Sequence, residues 1–331
     1  MNKVQLEIVQ EIKFLGIILT PTITFEKQYK KVVHKSNCLI NNMMKLCTHI
    51  KLKNIFSHFR LFTSIIFNAI SYASPIWSLT NYKKLESIQN KFIRKLFTLE
   101  YNIAGYALRI ELSRFRLAPF FIKRFVNFLY KIRDNNNLST KLLYLLYKKM
   151  CQKPQKNTWI SQMKNIINEY GVSISPILEN SEISDLIRKQ LIHNALEISL
   201  AQDIEEIHKR REPKWYKILL NYPFNNNYIL SNMSFTVKKF FIQLRLNSNM
   251  ILINNRIYEI SKSNCPRCQE LFTKYHVFCE CKTGYDLRIK MDLKQLNFIT
   301  EENQMYCFFQ GANIAMIYKL YNYIKTFCNQ S

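Results

Sequence analysis

Four cysteines and one histidine crowd into the segment NCPRCQELFTKYHVFCEC, which ends at Cys281. Cys265 and Cys268 are separated by two residues, a gap that lets one tight turn present both thiolates to the same ion. His276 follows after seven further residues, and Cys281 after four more. Three thiolates and one imidazole complete a tetrahedral shell and leave no open position. The spacing therefore predicts a structural Zn²⁺ site with the ligands Cys265, Cys268, His276 and Cys281.

Cys279 competes with Cys281 for the fourth ligand position, because only one residue separates them. The four-residue gap after His276 favours Cys281, since it gives the chain room to leave the histidine and return. The alternative is that these cysteines are buried free thiols. The chain has 9 cysteines, an odd number, so a reducing compartment, nucleus or cytoplasm, fits better than a disulfide framework.

The sequence contains no constellation of residues that is typical of an active site. Its aspartates lie in separate segments, and none forms the adjacent pair that two-metal phosphoryl transfer usually needs. The 5 glycines are well separated, so no glycine-rich phosphate loop is present, and a serine nucleophile elbow is also absent. We therefore expect no catalytic activity from this chain alone.

The chain has 331 residues and a formal net charge of +25, which favours a phosphate-bearing partner. Its 48% hydrophobic content is enough for a globular core. An AT-rich coding sequence would also enrich lysine, so compositional bias is an alternative source of the charge. The charge is uneven, however: residues 1–153 hold 26 basic and 7 acidic residues, and residues 154–331 hold 22 and 16. Compositional bias alone would not concentrate the positive charge in residues 1–153.

Neither a secretory leader nor a membrane span is predicted. Glu7 and Glu11 would interrupt the apolar core of a leader, and polar residues interrupt the most apolar window, Leu61 to Trp77. We expect a soluble chain with no membrane partner.

Periodicity predicts a mainly α protein with a small β start. Alternating apolar residues before Pro21 indicate short strands with no obvious sheet to join. From about Phe25 the period becomes helical, and helices are predicted near 25–46, 54–72, 82–98, 119–133, 138–150, 182–210, 234–247 and 301–328. Pro154, Gly171 and Pro176 interrupt the helical pattern and indicate a domain boundary near 151–180. The predicted domains are 1–24 with the strands, a helical domain over 25–150, a helical linker region over 151–235, and a cysteine-cluster module with closing helices over 236–331.

Basic side chains recur so that several share one side of a predicted helix. Lys84, Lys91 and Lys95 share a side, with Arg94 beside them, while apolar residues form a separate stripe. We expect such faces to bind phosphates of DNA or RNA without sequence preference. The candidate contacts are Lys27, Lys30, Lys31, Lys84, Lys91, Arg94, Lys95, Lys123 and Arg124. For each cluster, the alternative is a solvated face with no partner.

Three blocks of the sequence share features with one known protein family. The first is IKFLGIIL at 12–19, followed by Thr24-Phe25 and a basic helix. The second comprises YASPIW at 72–77, LESIQNKF at 85–92 with Arg94, and YALRIE at 106–111. The third comprises LRL at 244–246, the cysteine cluster, and Tyr285 with Arg288. Together these blocks resemble the reverse transcriptases of non-LTR (LINE-like, jockey-type) retrotransposons, and the likeness covers roughly 12–133 and 236–290.

The resemblance implies a strand turn that grips the primer, a thumb-like helical bundle and a C-terminal zinc knuckle. The family's catalytic Asp-Asp hairpin precedes the first block, and this chain contains no such pair. The chain therefore resembles the C-terminal part of an RNA-directed DNA polymerase, and the resemblance implies contact with template, primer or element RNA without polymerisation. Two alternatives are a decayed, non-functional element fragment and a zinc-stapled helical scaffold for protein interactions.

Overall fold

A computed structural model describes residues 9–21, 25–152, 159–173, 185–209, 227–253, 256–260 and 264–329. The prediction of a mainly α protein with a small β start is confirmed. The strands are β1 (Ile12–Phe14), β2 (Ile17–Leu19), β3 (Met250–Ile253) and β4 (Arg256–Glu259). They form two separate two-stranded antiparallel sheets, β1-β2 and β3-β4.

Helices fill most of the remaining chain. They are α1 (Glu26–His49), α2 (Ile55–Leu61), α3 (Asn68–Ile70), α4 (Ser74–Trp77), α5 (Tyr82–Phe97), α6 (Gly105–Glu111), α7 (Ala118–Asp134), α8 (Leu138–Gln152), α9 (Trp159–Glu169), α10 (Asp185–Lys209), α11 (Asn227–Leu230), α12 (Phe235–Arg245), α13 (Tyr285–Lys290), α14 (Glu302–Gly311) and α15 (Ile314–Asn329). Turns of π-helix occur at Phe62–Phe67 and His276–Glu280, and 3-10 turns at Leu79–Asn81, Lys282–Gly284 and Lys294–Phe298.

The chain forms two compact units, each discontinuous in sequence. The first unit comprises residues 1–50, 59–89 and 115–200, and the second comprises 51–58, 90–114 and 201–331. The domain boundaries predicted after residues 24, 150 and 235 remain predictions.

In the first unit, α1 separates apolar and basic residues on opposite sides. Its buried residues recur every three or four positions, including Val32, Ile40 and Met43, so one face packs into the core. The β1-β2 hairpin packs on the start of this helix, because the Ile18 amide donates to Gln28 Oε1 across 3.1 Å. Gly16 occupies the hairpin turn with a φ of +85°, a conformation that favours glycine.

A carboxylate caps α7 inside the same unit. Glu86 Oε1 accepts hydrogen bonds from the backbone amides of Leu117 at 2.5 Å and Ala118 at 3.1 Å. A negative group at a helix N-terminus satisfies unpaired amides and interacts favourably with the helix dipole. The α5 residue Glu86 therefore fixes where α7 begins.

In the second unit, α12 packs against β3, α14 and α15. Gln243 of α12 is fully buried and connects two backbone segments: its amide nitrogen donates to Phe97 O at 2.9 Å, and its oxygen accepts from the Leu252 amide at 3.0 Å. The 265–281 cluster also belongs to this unit.

Two elements differ from the sequence prediction. The β3-β4 hairpin was not predicted, because periodicity does not distinguish a four-residue apolar run from a buried helical turn. The closing segment predicted over 301–328 is two helices. Gly311 ends α14, and Asn313 Oδ1 accepts from the Met316 amide at 2.9 Å near the start of α15.

Candidate metal centre and basic surfaces

The structure brings the side chains of Cys265, Cys268, His276 and Cys281 together. Their ligand atoms all lie within 4.8 Å of one another. Cys281 Sγ is 3.9 Å from Cys265 Sγ and 3.9 Å from Cys268 Sγ, and His276 Nε2 is 3.1 Å from Cys268 Sγ. A tetrahedral ion with metal–sulfur bonds of about 2.3 Å sets its sulfur atoms about 3.8 Å apart. The four side chains are therefore arranged so that they could hold a metal ion.

Cys281, rather than Cys279, completes this group. Among the described residues, the cluster contains Cys281 and excludes Cys279. Cys279 lies on the π-helical turn and is buried, and this burial raises the pKa of its thiol to about 12.

The imidazole of His276 is oriented by a carboxylate on its far side. His276 Nδ1 lies 3.1 Å from Glu270 Oε2, so the ring presents Nε2 to the thiols. Carboxylate contacts of this kind fix the tautomer and orientation of metal-binding histidines. The exposed Glu270 carboxylate thus orients the buried imidazole so that Nε2 faces the position where an ion would bind.

Backbone hydrogen bonds hold the loop that carries the first two cysteines. The Cys265 amide donates to Glu270 O at 2.6 Å, and the Gln269 amide donates to Cys265 O at 3.0 Å. An isolated antiparallel bridge joins Asn264 and Leu271 on either side of this turn. The two thiols are therefore placed by a closed turn.

Arg288 of α13 supports the second half of the cluster from inside the core. Its guanidinium is almost fully buried and donates to Cys281 O at 3.1 Å and to Val277 O at 3.4 Å. The side chain also donates to Asn297 Oδ1. Because a buried cation without acceptors is costly, these bonds tie α13 to the chain around His276 and Cys281.

The cluster lies beside an aromatic core formed with the closing helices. Phe278 packs edge-on against Phe309, with ring centroids 5.2 Å apart, and lies 5.8 Å from the Tyr323 ring. The Tyr323 hydroxyl donates to Val277 O at 2.6 Å. The four side chains therefore lie where a loop meets a packed core, and an ion bound there would hold the loop to that core.

Six of the nine predicted nucleic-acid contacts belong to the first unit, and all six side chains are exposed. They are Lys27, Lys30, Lys31, Lys84, Lys123 and Arg124. Three of them have local partners: Lys27 pairs with Glu11 at 2.6 Å and Lys84 with Glu26 at 2.8 Å, and Lys31 donates to Gly16 O at 3.0 Å.

The other three predicted contacts, Lys91, Arg94 and Lys95, belong to the second unit. Lys91 and Lys95 are exposed, whereas Arg94 is only partly exposed. The Arg94 guanidinium donates to Ile103 O at 2.6 Å and lies 5.1 Å from the centre of the Tyr101 ring. Burial lowers the pKa of Arg94, and these local contacts give it a structural role.

A cavity of about 570 Å³ opens in the first unit beside the β1-β2 hairpin. Three exposed lysines line it, Lys13, Lys31 and Lys35, together with the polar side chains of Gln28, Asn68 and Tyr72. The Tyr72 hydroxyl donates to Leu15 O at 2.9 Å, which holds the hairpin turn against the cavity. No acidic residue of the described chain lines the cavity, so it favours anions.

The sequence prediction did not include Lys13 and Lys35 among the nucleic-acid contacts. Lys35 lies one helical turn beyond Lys31, so helical spacing would have found it. Lys13 lies on a strand of the hairpin, and only the tertiary packing shows that it faces the same cavity.

Comparison of the chain with protein-family models, curated proteins and solved structures found no match. Within the described ranges, no helix is both long enough and apolar enough to cross a membrane.

Proposed function

We propose that this chain binds DNA or RNA through the phosphate backbone and contains one structural Zn²⁺. The observation that best supports nucleic-acid binding is the lysine-lined cavity beside α1. We call the exposed residues Lys30, Lys31 and Lys35 of this helix its lysine face. Lys31 and Lys35 lie one helical turn apart on α1, and Lys30 is exposed on the adjoining side of the same helix. Amines at such spacing can follow successive phosphates without reading bases, because phosphate contacts carry no sequence information.

Two further features support a nucleic-acid ligand. Most of the net positive charge belongs to residues 1–153, which include the whole of α1 and the hairpin. The likeness to non-LTR reverse transcriptases favours a template, primer or element RNA as the ligand. Because the chain has no adjacent pair of aspartates, the proposal includes no polymerisation.

The proposed ion is Zn²⁺, since three thiolates and one imidazole suit a borderline-soft ion and disfavour Mg²⁺ and Ca²⁺. Four protein ligands leave no position for water, so the ion would hold the loop and would not act as a Lewis acid. The expected consequence is a C-terminal module that is stable only with its ion.

Fluorescence anisotropy with labelled single-stranded and duplex oligonucleotides, titrated at several salt concentrations, tests the nucleic-acid part. Binding should weaken steeply between about 50 and 200 mM salt, since each phosphate contact releases counterions. Similar affinity for unrelated sequences is expected. Absence of binding at low salt, or affinity that does not change with salt, would refute the proposal.

A further inference from the structure

The helix α8 is apolar on two opposite faces. On one face, Tyr147 is buried, and its ring lies 6.5 Å from Phe125 and 6.2 Å from Phe128 of α7. On the other face, four leucines remain largely exposed, with exposed fractions of 73%, 58%, 56% and 53% for Leu138, Leu142, Leu145 and Leu146. We call these four residues the leucine stripe.

The leucine stripe has the spacing of a helix–helix contact. Its members occupy positions i, i+4, i+7 and i+8, which lie on one side of a helix. A surface helix normally has one apolar side, and a helix that is apolar all round is normally buried all round. A contiguous exposed apolar patch of this kind marks an interaction site. Among the described residues α7 covers one side of α8, and the leucine stripe on the other side is accessible to a partner.

The charges around the stripe define the chemistry of that partner. Lys141 borders the stripe, and Lys148 and Lys149 lie at its C-terminal end. The helix contains no aspartate or glutamate between Leu138 and Gln152. Pairing two copies of α8 through their stripes would bring the lysines of both copies to one interface with no carboxylate from either helix between them, which is repulsive. A second copy is therefore disfavoured, and a partner with carboxylates beside its apolar residues is favoured.

We propose that the leucine stripe docks an amphipathic helix of another protein, one whose own apolar stripe is bordered by carboxylates. The four leucines are the anchors, as in recognition modes where one helix face supplies residues at i, i+4 and i+7. The three lysines pair with the partner's acidic border and fix its orientation. This interaction is separate from nucleic-acid binding and does not depend on it.

A model peptide provides the probe. It contains three heptads of Leu-Glu-Glu-Leu-Leu-Glu-Glu with a fluorescent label, and its control is a scrambled peptide of equal composition and charge. The full chain should bind the amphipathic peptide at moderate salt and should not bind the scrambled one. Equal binding of both peptides, or binding of neither, would overturn the proposal, because the contact would then be purely electrostatic or absent.

Variants of α8 test whether the stripe is the docking surface. Leu142→Gln with Leu145→Gln should weaken peptide binding by about tenfold or more, as loss of central anchors does. Leu230→Gln changes an equally exposed leucine elsewhere and should leave binding unchanged. The double variant Lys141→Glu with Lys148→Glu should also weaken peptide binding, because these lysines pair with the carboxylates of the peptide. Unchanged binding in the double-leucine variant would refute the assignment.

Two other occupants are distinguished by separate measurements. Sedimentation that shows a dimer for the wild type and a monomer for the double-leucine variant would assign the stripe to a second copy and overturn the proposal. Recruitment of the wild type, but not this variant, to phosphatidylcholine–phosphatidylserine vesicles would assign it to a lipid surface and also overturn it. The expected results are a monomer and no recruitment. The double-leucine variant should keep its oligonucleotide affinity, and this result separates the test of the stripe from the test of the proposed function.

Discussion

Arg245 Nε donates to Glu111 Oε1 across 2.7 Å inside the second unit, and both side chains are almost completely buried. The Tyr228 hydroxyl donates to the same carboxylate. The two charged residues come from the sequence blocks 106–111 and 244–246, so the fold joins two motifs that are far apart in the chain. Another residue of the first block, Arg109, forms a two-point ion pair with Asp203 at 2.6 and 2.7 Å.

Removing one partner of the buried Arg245–Glu111 pair should strongly destabilise the second unit. We expect Arg245→Met to lower the free energy of unfolding by about 3–5 kcal/mol, because Glu111 would remain buried without its cation. The double variant Arg245→Met with Glu111→Leu should lose less free energy of unfolding than Arg245→Met, since it leaves no unpaired charge in the core. Urea unfolding of the wild type, Arg245→Met, Glu111→Leu and the double variant measures this difference. A double variant as unstable as the sum of the two single changes would contradict the interpretation.

The same urea curves bear on the alternative of a decayed fragment. A chain with these buried, paired charges should unfold in a cooperative transition. A gradual change without a transition would support the decayed fragment.

Gly284 should tolerate no side chain. A Cβ atom there would lie 2.7 Å from Tyr323 Oη and 3.0 Å from both Arg288 Nη1 and Phe327 Cε2. We expect Gly284→Ala to destabilise the protein by about 1–3 kcal/mol, as overpacking of a filled core does. Gly311→Ala is the matched control, because a Cβ at Gly311 meets no atom within 4 Å. Thermal melts of both variants test the prediction, and equal melting temperatures would contradict it.

The metal content should depend on Cys268 and not on Cys279. Purified wild type should contain one zinc per chain by elemental analysis, and Cys268→Ala should lose it because one thiolate ligand is gone. Cys279→Ala should retain the ion, since Cys279 lies outside the ligand cluster. Full zinc content in Cys268→Ala, or its loss in Cys279→Ala alone, would refute the ligand set.

Stability should rise with pH because of Lys239 in α12. Burial lowers the pKa of its amine from an ordinary value of 10.5 to about 8. Between these two values the unfolded chain binds more protons than the folded one, so the free energy of unfolding increases as the pH rises from about 8. Lys239→Met should remove this contribution and stabilise the protein at pH 7. Urea midpoints at several pH values test this, and a parallel pH dependence in both chains would contradict it.

Much of the helical architecture could be predicted from the sequence, because 3.6-residue periodicity marks several of the long helices. Helix α5 was predicted over 82–98 and spans Tyr82–Phe97, and α7 was predicted over 119–133 and spans Ala118–Asp134. The short β3-β4 hairpin lacked such a signal. The four residues that could hold a metal ion were also predictable as a cluster, since their spacing limits the possible turns.

Other parts of the site depend on tertiary packing. Nothing in the local sequence indicates that Arg288 contacts the carbonyl of Cys281, or that Glu270 faces His276. Arg94 was grouped with exposed lysines by helical spacing, but its guanidinium contacts the carbonyl of Ile103. Spacing identifies the side of a helix, and only the packing of neighbouring segments determines which side chains remain free for a ligand.

The central claim, phosphate binding by the lysine face of α1, is tested most directly by the salt slope of duplex DNA binding. The measurement compares the slope of log affinity against log salt for the wild type and for Lys30→Gln, Lys31→Gln, Lys35→Gln. Each lysine that contacts a phosphate should contribute about 0.9 to the slope, so the triple variant should lose up to about 2.7. Lys141→Gln, Lys148→Gln, Lys149→Gln removes the same charge from α8 and should keep the wild-type slope. Equal slopes in the wild type and the α1 variant, or equal losses in both triple variants, would contradict the account.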